Sequence, residues 1–463
     1  MKSDDQNGFS PAQWSIALLS LAGLTIGVFF ATYGDPRIMG YTDALFPEAF
    51  YRDIVLDNGN LGAWGFNMPS YWLDNALYFL VRFIFGDIHN GMAAYAAVQC
   101  LLIATGAFYS CAFLARSASE SLISLVFSAL LVSLLCLYPA SFQIMRMPAM
   151  HGLTLVCFLF CVGLLLRLLG DSKNVRLALG VSIFAAAASM SDGLFTMWFT
   201  LPAVGCILLL LVAKRIEKKL GIRFLALFLF CFILGRVADG FFRPNIAEYS
   251  PVHPSITKML QKTPDLLQNI FSTITYSPVT TWLYLLAFGA FIFLVLRKEY
   301  LFCGTLSALY CIAFSGVIIN GRTEVSYVNQ IIISFPLLTI PPLFFAFSSK
   351  KNTILSYAAA LFLVCFATAN IMWKKPSYYP PLAACLDEAA KRTRIDNVAS
   401  AFWIGRPATL FSHAQPSLDM FHHRNFTLSL NLNNEKPKEK QAYQAILLDT
   451  HDADFLDFEK MRL

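Results

Sequence analysis

Charged side chains are scarce in this sequence. Only 14% of the 463 residues are Asp, Glu, Lys or Arg, while 57% are hydrophobic and 42 are Phe. The mean hydropathy is +0.58. The polar faces that a soluble domain needs are missing, and apolar runs of about 18 residues or more, enough to cross a bilayer, recur along the chain. The sequence therefore predicts an all-α polytopic membrane protein.

Paired cysteine motifs are lacking as well. Ten of the 11 cysteines lie in apolar runs, where Cys behaves as a small hydrophobic residue, and only Cys385 lies in the polar tail. No CxxC pair or Cys/His ligand spacing occurs, which argues against a disulfide framework and a structural zinc site. The segment before the first apolar run has no basic character, so we expect an uncleaved anchor and no signal peptide.

The apolar runs predict about eleven transmembrane helices. One further segment, Leu73–Gly86, is apolar but short and carries Asp74 and Arg82, which favours a helix lying in the membrane interface. The predicted spans are Trp14–Thr32, Gly91–Leu114, Ser121–Leu137, Gly152–Leu169, Leu177–Met190, Leu194–Val212, Phe224–Asp239, Thr281–Leu296, Leu301–Ile319, Ile331–Phe347 and Ile354–Met372.

Basic residues gather in short loops on one side of these spans, as in the cluster from Lys214 to Arg223 and the pair Lys350/Lys351. The positive-inside rule makes that side cytoplasmic. The N-terminus is then cytoplasmic, and the first loop (34–90) and the tail (373–463) lie on the extracytoplasmic side. Because the net charge of +6 is spread over these loops, we expect membrane lipids and no nucleic acid as partners.

The first loop combines acidic and aromatic residues. Its acids are Asp35, Asp43, Glu48, Asp53, Asp57 and Asp74, and its aromatic residues include Trp64, Tyr71, Trp72 and Tyr78. Aromatic faces pack on the apolar faces of sugars, and a carboxylate can take a proton from a hydroxyl. The alternative interpretation is a solvated loop whose Trp and Tyr residues collect at headgroup level.

Arginines occur at span ends on the same side. Arg146, Arg236 and Arg322 are candidates for holding a phosphate group, which matches the planar guanidinium, and Asp192 in SMSDGLF is a candidate for the same cavity. The alternative is that each Arg extends to water or to lipid headgroups. Few charges lie within the spans, which argues against an ion-driven transporter with a relay at the midplane.

The polar tail predicts a small α/β domain separate from the transmembrane domain (1–372). Its expected elements are a helix at Leu382–Thr393 and short strands at Val398–Phe402, Ala408–Ser412 and Ala445–Leu448.

This layout resembles the multi-spanning GT-C glycosyltransferases. The matching features are one span followed by a long acidic loop, the segment MPSYWLDNALYFLVRFIFGD, the span ending in Phe113–Arg116 (FLAR), the SMSDGLF segment, FWIGRP in the tail and an outward C-terminal domain. The resemblance implies an enzyme of a bacterial inner membrane that transfers a hexose or pentose from a polyprenyl phosphate, with inversion, to a glycan or glycolipid such as lipopolysaccharide O-antigen.

The resemblance also implies roles for individual residues. Asp43 is expected to be the catalytic base, with Asp53, Asp74, Trp64 and Tyr71 in support. The adjacent acidic pair of the protein mannosyltransferase branch is absent, which leaves Mg²⁺ or Mn²⁺ as an open possibility. The WWD-type signature of oligosaccharyltransferases is also absent, so transfer of a whole oligosaccharide to protein is disfavoured.

Two other functions remain open from the sequence. One is a flippase or transporter of lipid-linked glycans, although no internal repeat supports it. The other is a glycan polymerase or ligase, for which the later loop Phe241–Val279 offers a second site.

Overall fold

The structure is a computed structural model that describes residues 9–61, 64–65, 71–137, 145–170, 175–214, 216–242, 256–319, 325–421, 434–435 and 445–447. Its helices in chain order are α1 Pro11–Thr32, α2 Pro36–Met39, α3 Phe46–Tyr51, α4 Trp72–Phe85, α5 Ile88–Cys111, α6 Ala118–Leu137, α7 Gly152–Gly170, α8 Val175–Ser191, α9 Leu201–Val212, α10 Lys218–Phe242, α11 Ile256–Ile274, α12 Pro278–Leu296, α13 Tyr300–Ile319, α14 Val325–Leu343, α15 Ser349–Met372, α16 Pro381–Ala390 and α17 Phe402–Phe411. The strands are β1 Trp64–Gly65, β2 Asn397–Ala401, β3 Ser417–Phe421, β4 Asn434–Glu435 and β5 Ala445–Leu447.

The prediction of a polytopic helical membrane protein is confirmed. In the described part of the chain, seven helices are long and apolar enough to cross a membrane, and four shorter apolar helices match the other four predicted spans. In a bilayer, helices satisfy all backbone hydrogen bonds internally, which is why apolar runs of this length become helical. The chain is therefore a multi-pass membrane protein.

Burial divides the bundle into a centre and a periphery. In the apolar stretch of α7, 83% of the residues are buried, compared with 28% in α10 and α12. Large apolar side chains such as Phe230 and Trp282 are exposed on these outer helices. Since lipid tails are as apolar as these side chains, the outer helices are suited to face the bilayer.

The first loop folds back on the bundle through α2, α3, a π-helical turn at Arg52–Leu56, β1 and α4. The segment predicted to lie in the membrane interface forms the helix α4, and its interface location stays a prediction. One face of α4 buries Asp74, Tyr78 and Arg82, whereas Phe83 is 78% exposed. A buried ion pair fixes this arrangement, because the Arg82 guanidinium donates to both Glu48 oxygens at 2.7 and 3.1 Å.

The tail contains the predicted α/β unit. Its three-stranded sheet has the order β3-β2-β5, and both pairings are parallel. The predicted strand at Ala408–Ser412 is wrong, because most of that segment lies in α17, and β3 follows instead. Parallel neighbours need a crossover connection, commonly a helix, and α17 supplies it. The short apolar run alone did not distinguish a buried helix from a strand.

Gly34 allows the first loop to turn against the start of the tail. Its φ is +70°, and a Cβ there would lie 2.1 Å from the carbonyl oxygen of Pro376. Gly86 also has a positive φ, of +78°, but a Cβ there would meet nothing within 4 Å.

We expect Gly86→Ala to lower the free energy of unfolding only by the left-handed backbone strain, about 1–2 kcal/mol, and Gly34→Ala to lower it clearly more. Melting of both purified variants in detergent checks this, and equal melting temperatures would contradict it.

Candidate functional site

Polar side chains from four separate segments, two of them in the first loop, form one cluster. We call Asp43, Tyr71, Asp74, His151 and Asp192 the central cluster. Asp43 precedes α3, Tyr71 and Asp74 lie at the start of α4, His151 precedes α7, and Asp192 follows α8. Asp74, His151 and Asp192 are buried, whereas Asp43 and Tyr71 are partly exposed.

His151 connects two members of this cluster. Its Nδ1 lies 2.5 Å from Asp192 Oδ2, and its Nε2 lies 3.3 Å from the Tyr71 hydroxyl. Asp192 also accepts from the Thr154 hydroxyl at 2.7 Å and from the Leu194 amide at 2.9 Å. Burial alone would raise the pKa of Asp192. The electrostatic interaction with His151 and the hydrogen bonds from His151, Thr154 and Leu194 outweigh burial, so the pKa of Asp192 is lowered. Asp192 is therefore an ionised anchor that orients the imidazole.

Asp74 has a different environment. Its Oδ1 accepts from the Tyr95 hydroxyl at 2.6 Å and from the Ala149 amide at 3.3 Å. Its Oδ2 is buried and has no hydrogen-bond partner among the described residues. Burial raises the pKa of Asp74 to about 6, although the Tyr95 hydrogen bond acts in the opposite direction. A carboxyl group with this pKa can hold or release a proton near neutral pH.

Asp43 is the member of the cluster that combines partial exposure with a raised pKa. Burial raises its pKa, and the charges of Arg406 and His151 offset only part of that effect. Arg406 comes from α17 in the tail, and its Nη1 donates to the Thr42 carbonyl at 2.9 Å. A base whose pKa lies closer to the working pH accepts a proton from a hydroxyl more effectively.

The backbone around the cluster is strained at three places. Tyr71, Ala149 and His151 have φ values of 55°, 54° and 62°, which residues other than glycine rarely adopt. The surroundings hold Tyr71 there, because its amide donates to the Ser191 carbonyl at 2.9 Å. A π-helical turn, Thr196–Thr200, follows Asp192. Strained residues and π-helical turns occur preferentially at functional sites.

The sequence-predicted support residues of the first loop divide into two groups. Asp74 and Tyr71 lie in the central cluster. Asp53 and Trp64 lie together on its apolar side, where the Trp64 indole donates to Asp53 Oδ2 at 2.5 Å and packs edge-on against Phe50. Trp64 also packs in one apolar group with Phe46, Phe50 and Ala149, so this second pair helps to hold the fold of the loop.

The two candidate arginines that the structure describes, Arg146 and Arg236, have different partners. Arg146 is buried, with its Nη2 3.6 Å from Asp35 Oδ2 and its Nη1 donating to Ala31 O. Arg236 pairs with Asp239 at 3.3 Å. Its Nη1 also lies 3.6 Å from where a Cβ on Gly193 would be, next to Asp192. Arg322 lies outside the described residues.

Asp35 is the buried centre of a second charged group. Besides facing Arg146, it accepts three hydrogen bonds from Arg37, two from the guanidinium and one from the backbone amide, and has Lys375 Nζ at 3.5 Å. Burial would raise the pKa of Asp35, but the Arg37 hydrogen bond and the nearby positive charges lower it. This group joins the end of α1 to the start of the tail.

Sequence reasoning missed His151 and Arg406 as members of the site. His151 shows no ligand spacing in the sequence, and its only local sign is its position at the start of a span. Arg406 lies in the FWIGRP segment, whose proximity to the first loop arises only in the fold. A metal site receives no support from the described residues, in which no group of three His, Cys, Asp or Glu side chains is arranged to hold an ion. The use of Mg²⁺ or Mn²⁺ therefore stays an open possibility, and no step below runs through a metal.

No protein-family model matches the sequence, and no curated protein matches it. A solved structure that is similar in part is that of the oligosaccharyltransferase of Archaeoglobus fulgidus, tethered with an acceptor peptide through a disulfide bond. The two chains are 10% identical and superpose with a TM-score of 0.43 over 88% of this chain and 63% of that chain. This chain therefore spans less than two thirds of the length of that enzyme.

Proposed function

We propose that this protein is an inverting membrane glycosyltransferase that moves a sugar from a polyprenyl-phosphate carrier to a hydroxyl of a surface glycan or glycolipid. The observation that carries this proposal is the position of Asp43. It is a partly exposed carboxylate of raised pKa in the first loop, beside a buried His151–Asp192 pair. A lipopolysaccharide O-antigen is the kind of acceptor that we propose.

Asp43 would act as the general base. It takes the proton of the acceptor hydroxyl while that oxygen forms a bond to the anomeric carbon of the sugar. The bond between the anomeric carbon and the lipid phosphate breaks at the same time, and the phosphate leaves with the electron pair. Attack from the face opposite the leaving group inverts the configuration, and the proton ends on Asp43. Such base assistance contributes about 10²–10⁴ in rate.

Cations near the leaving group would stabilise the phosphate as its charge develops. Among the three candidate arginines, Arg236 suits this role best, because 28% of its side chain is exposed and it lies beside the Asp192 turn. Arg146 has only 2% of its side chain exposed and already faces Asp35, so we assign it a supporting role. Arg322 remains a candidate on sequence grounds alone.

The proposed orientation follows the distribution of basic loops. The N-terminus lies in the cytoplasm, and the first loop and the tail lie on the periplasmic side of a bacterial inner membrane. In that arrangement a lipid-linked donor enters the cleft laterally from the bilayer, and membrane lipids surround the outer helices.

Reconstitution into proteoliposomes tests the proposal. Purified protein is given a polyprenyl-phosphate donor with a labelled sugar together with a lipopolysaccharide acceptor, and label on the acceptor and movement of the donor between leaflets are measured separately. We expect label on the acceptor. Donor movement without transfer would overturn the proposal in favour of a flippase. Transfer of glycan chains between acceptors, lost on mutation of the later loop Phe241–Val279, would indicate a polymerase or ligase.

A further inference from the structure

The tail is docked directly on the first loop. Arg52 Nη2 donates to the Leu410 carbonyl at 2.8 Å, and the His89 ring lies 2.8 Å from the Tyr378 carbonyl. Strand β1 of the first loop pairs antiparallel with β4 of the tail. These contacts come from the middle and the end of the loop, so the tail and the loop form one surface.

Arg406 is the charged side chain that the tail inserts into this surface. Its residue is 2% exposed, its Nη1 donates to Thr42 O at 2.9 Å, and its guanidinium carbon lies 6.0 Å from the centre of the Phe46 ring. The neighbouring Gly405 allows α17 to lie close on β2, because a Cβ there would be 2.7 Å from the Cβ of Ser400.

A buried guanidinium is costly unless an anion compensates it. Burial lowers the pKa of Arg406 to about 10, and the acid that opposes this effect is Asp43. Within the part of the chain that the structure describes, three titratable or charged groups face Asp43 from the elements around it. They are Arg406 from α17, His151 from the segment before α7, and Tyr41 from the first loop itself.

We infer that Arg406 is a positioning residue through which the C-terminal domain completes the site: its hydrogen bond to Thr42 holds the Thr42–Asp43 backbone, and it brings a buried positive charge next to that segment. The inference rests on the proposed function for the role of Asp43 as a base. The effect of the Arg406 charge on position 43 can be measured without turnover, because that effect does not depend on sugar transfer.

The two effects of removing Arg406 have opposite signs. Loss of the positive charge makes an anion at position 43 less favourable and raises its pKa. Loosening of the tail would instead expose position 43 to water, relieve the effect of burial and lower the pKa. A measured shift therefore distinguishes an electrostatic role from a merely structural one.

A thiol placed at position 43 by Asp43→Cys reports that shift. Its thiolate reacts with methyl methanethiosulfonate, a small neutral reagent, to form a mixed disulfide and release methanesulfinate. The rate of this reaction, followed across pH by mass spectrometry of the peptide that contains position 43, gives the thiol pKa. We expect Arg406→Met to raise this pKa by about 1 unit or more, the scale of a nearby opposite charge. Arg406→Lys should preserve most of the effect. Arg394→Met is the matched control in the same domain, since Arg394 is 85% exposed and pairs with Asp396, and it should leave the thiol pKa unchanged.

An unchanged or lowered thiol pKa in Arg406→Met would overturn the inference. If the thiol does not react with the reagent, the pH dependence of sugar transfer is measured instead, in protein that keeps Asp43. Arg406→Met should then move the acid limb of the transfer rate to higher pH. The thiol reaction requires no sugar transfer, so absence of glycosyltransferase activity would overturn the proposed function and leave the thiol result standing. If the wild-type protein transfers sugar but Arg406→Met does not shift the pKa of the thiol at position 43, the inference alone is overturned.

Discussion

Asp43→Asn is expected to lower sugar transfer by about 10²–10⁴, the usual contribution of a general base. The amide has nearly the shape of the carboxylate but cannot accept the proton of the acceptor hydroxyl. The measurement is the initial rate of label transfer in proteoliposomes that contain equal amounts of inserted protein. Asp57→Asn is the matched control, because Asp57 is an exposed acid of the same loop and should keep the wild-type rate.

The pH dependence of transfer tests the same assignment. The base must be deprotonated to act, and burial raises the pKa of Asp43 above the ordinary aspartate value of 3.8. The rate should therefore rise with pH along an acid limb that lies above that value, and this limb should vanish in Asp43→Asn. Full transfer by Asp43→Asn with an unchanged pH profile would remove Asp43 from the mechanism.

Glu48→Gln is expected to destabilise the protein by about 3–5 kcal/mol, the cost of removing one partner of a buried ion pair. The Glu48 carboxylate is fully buried, accepts from Arg82 at 2.7 and 3.1 Å, and also accepts from the Tyr78 hydroxyl at 2.7 Å. Without it, the Arg82 guanidinium remains in the interior and loses the acid with which it pairs in the described structure. Because this pair fixes α4 to α3, we expect a lower melting temperature and loss of transfer together.

A double variant separates the charge effect from the loss of packing. Glu48→Gln with Arg82→Met removes both charges and should recover part of the stability that Glu48→Gln alone loses. The exposed pair of Glu388 and Lys391 in the tail provides the control, and Glu388→Gln should not change the melting temperature measurably. A Glu48→Gln protein that melts with the wild type would contradict a stabilising role for this pair.

The central cluster marks the limit of what could be predicted for the site. Asp43, Tyr71, Asp74 and Asp192 stand out in the sequence because each is polar or aromatic beside an apolar run. The sequence contains no sign that His151 lies 2.5 Å from Asp192, because 41 residues separate them along the chain. Arg406 is further still, and its hydrogen bond to Thr42 spans 364 positions.

The sequence by itself determined the class of this protein and the approximate positions of its apolar helices. Long apolar runs become helices in a bilayer because no other local structure satisfies their backbone groups, and the amphipathic pattern of α4 is equally local. Only the tertiary structure decided which polar residues share an environment. Contacts such as His151 with Asp192 or Arg406 with Thr42 depend on which helices pack together and on where the tail docks. Each of these contacts depends on burial and charge contributed by segments that are far apart in the sequence. No periodic pattern along the chain indicates which of those segments meet.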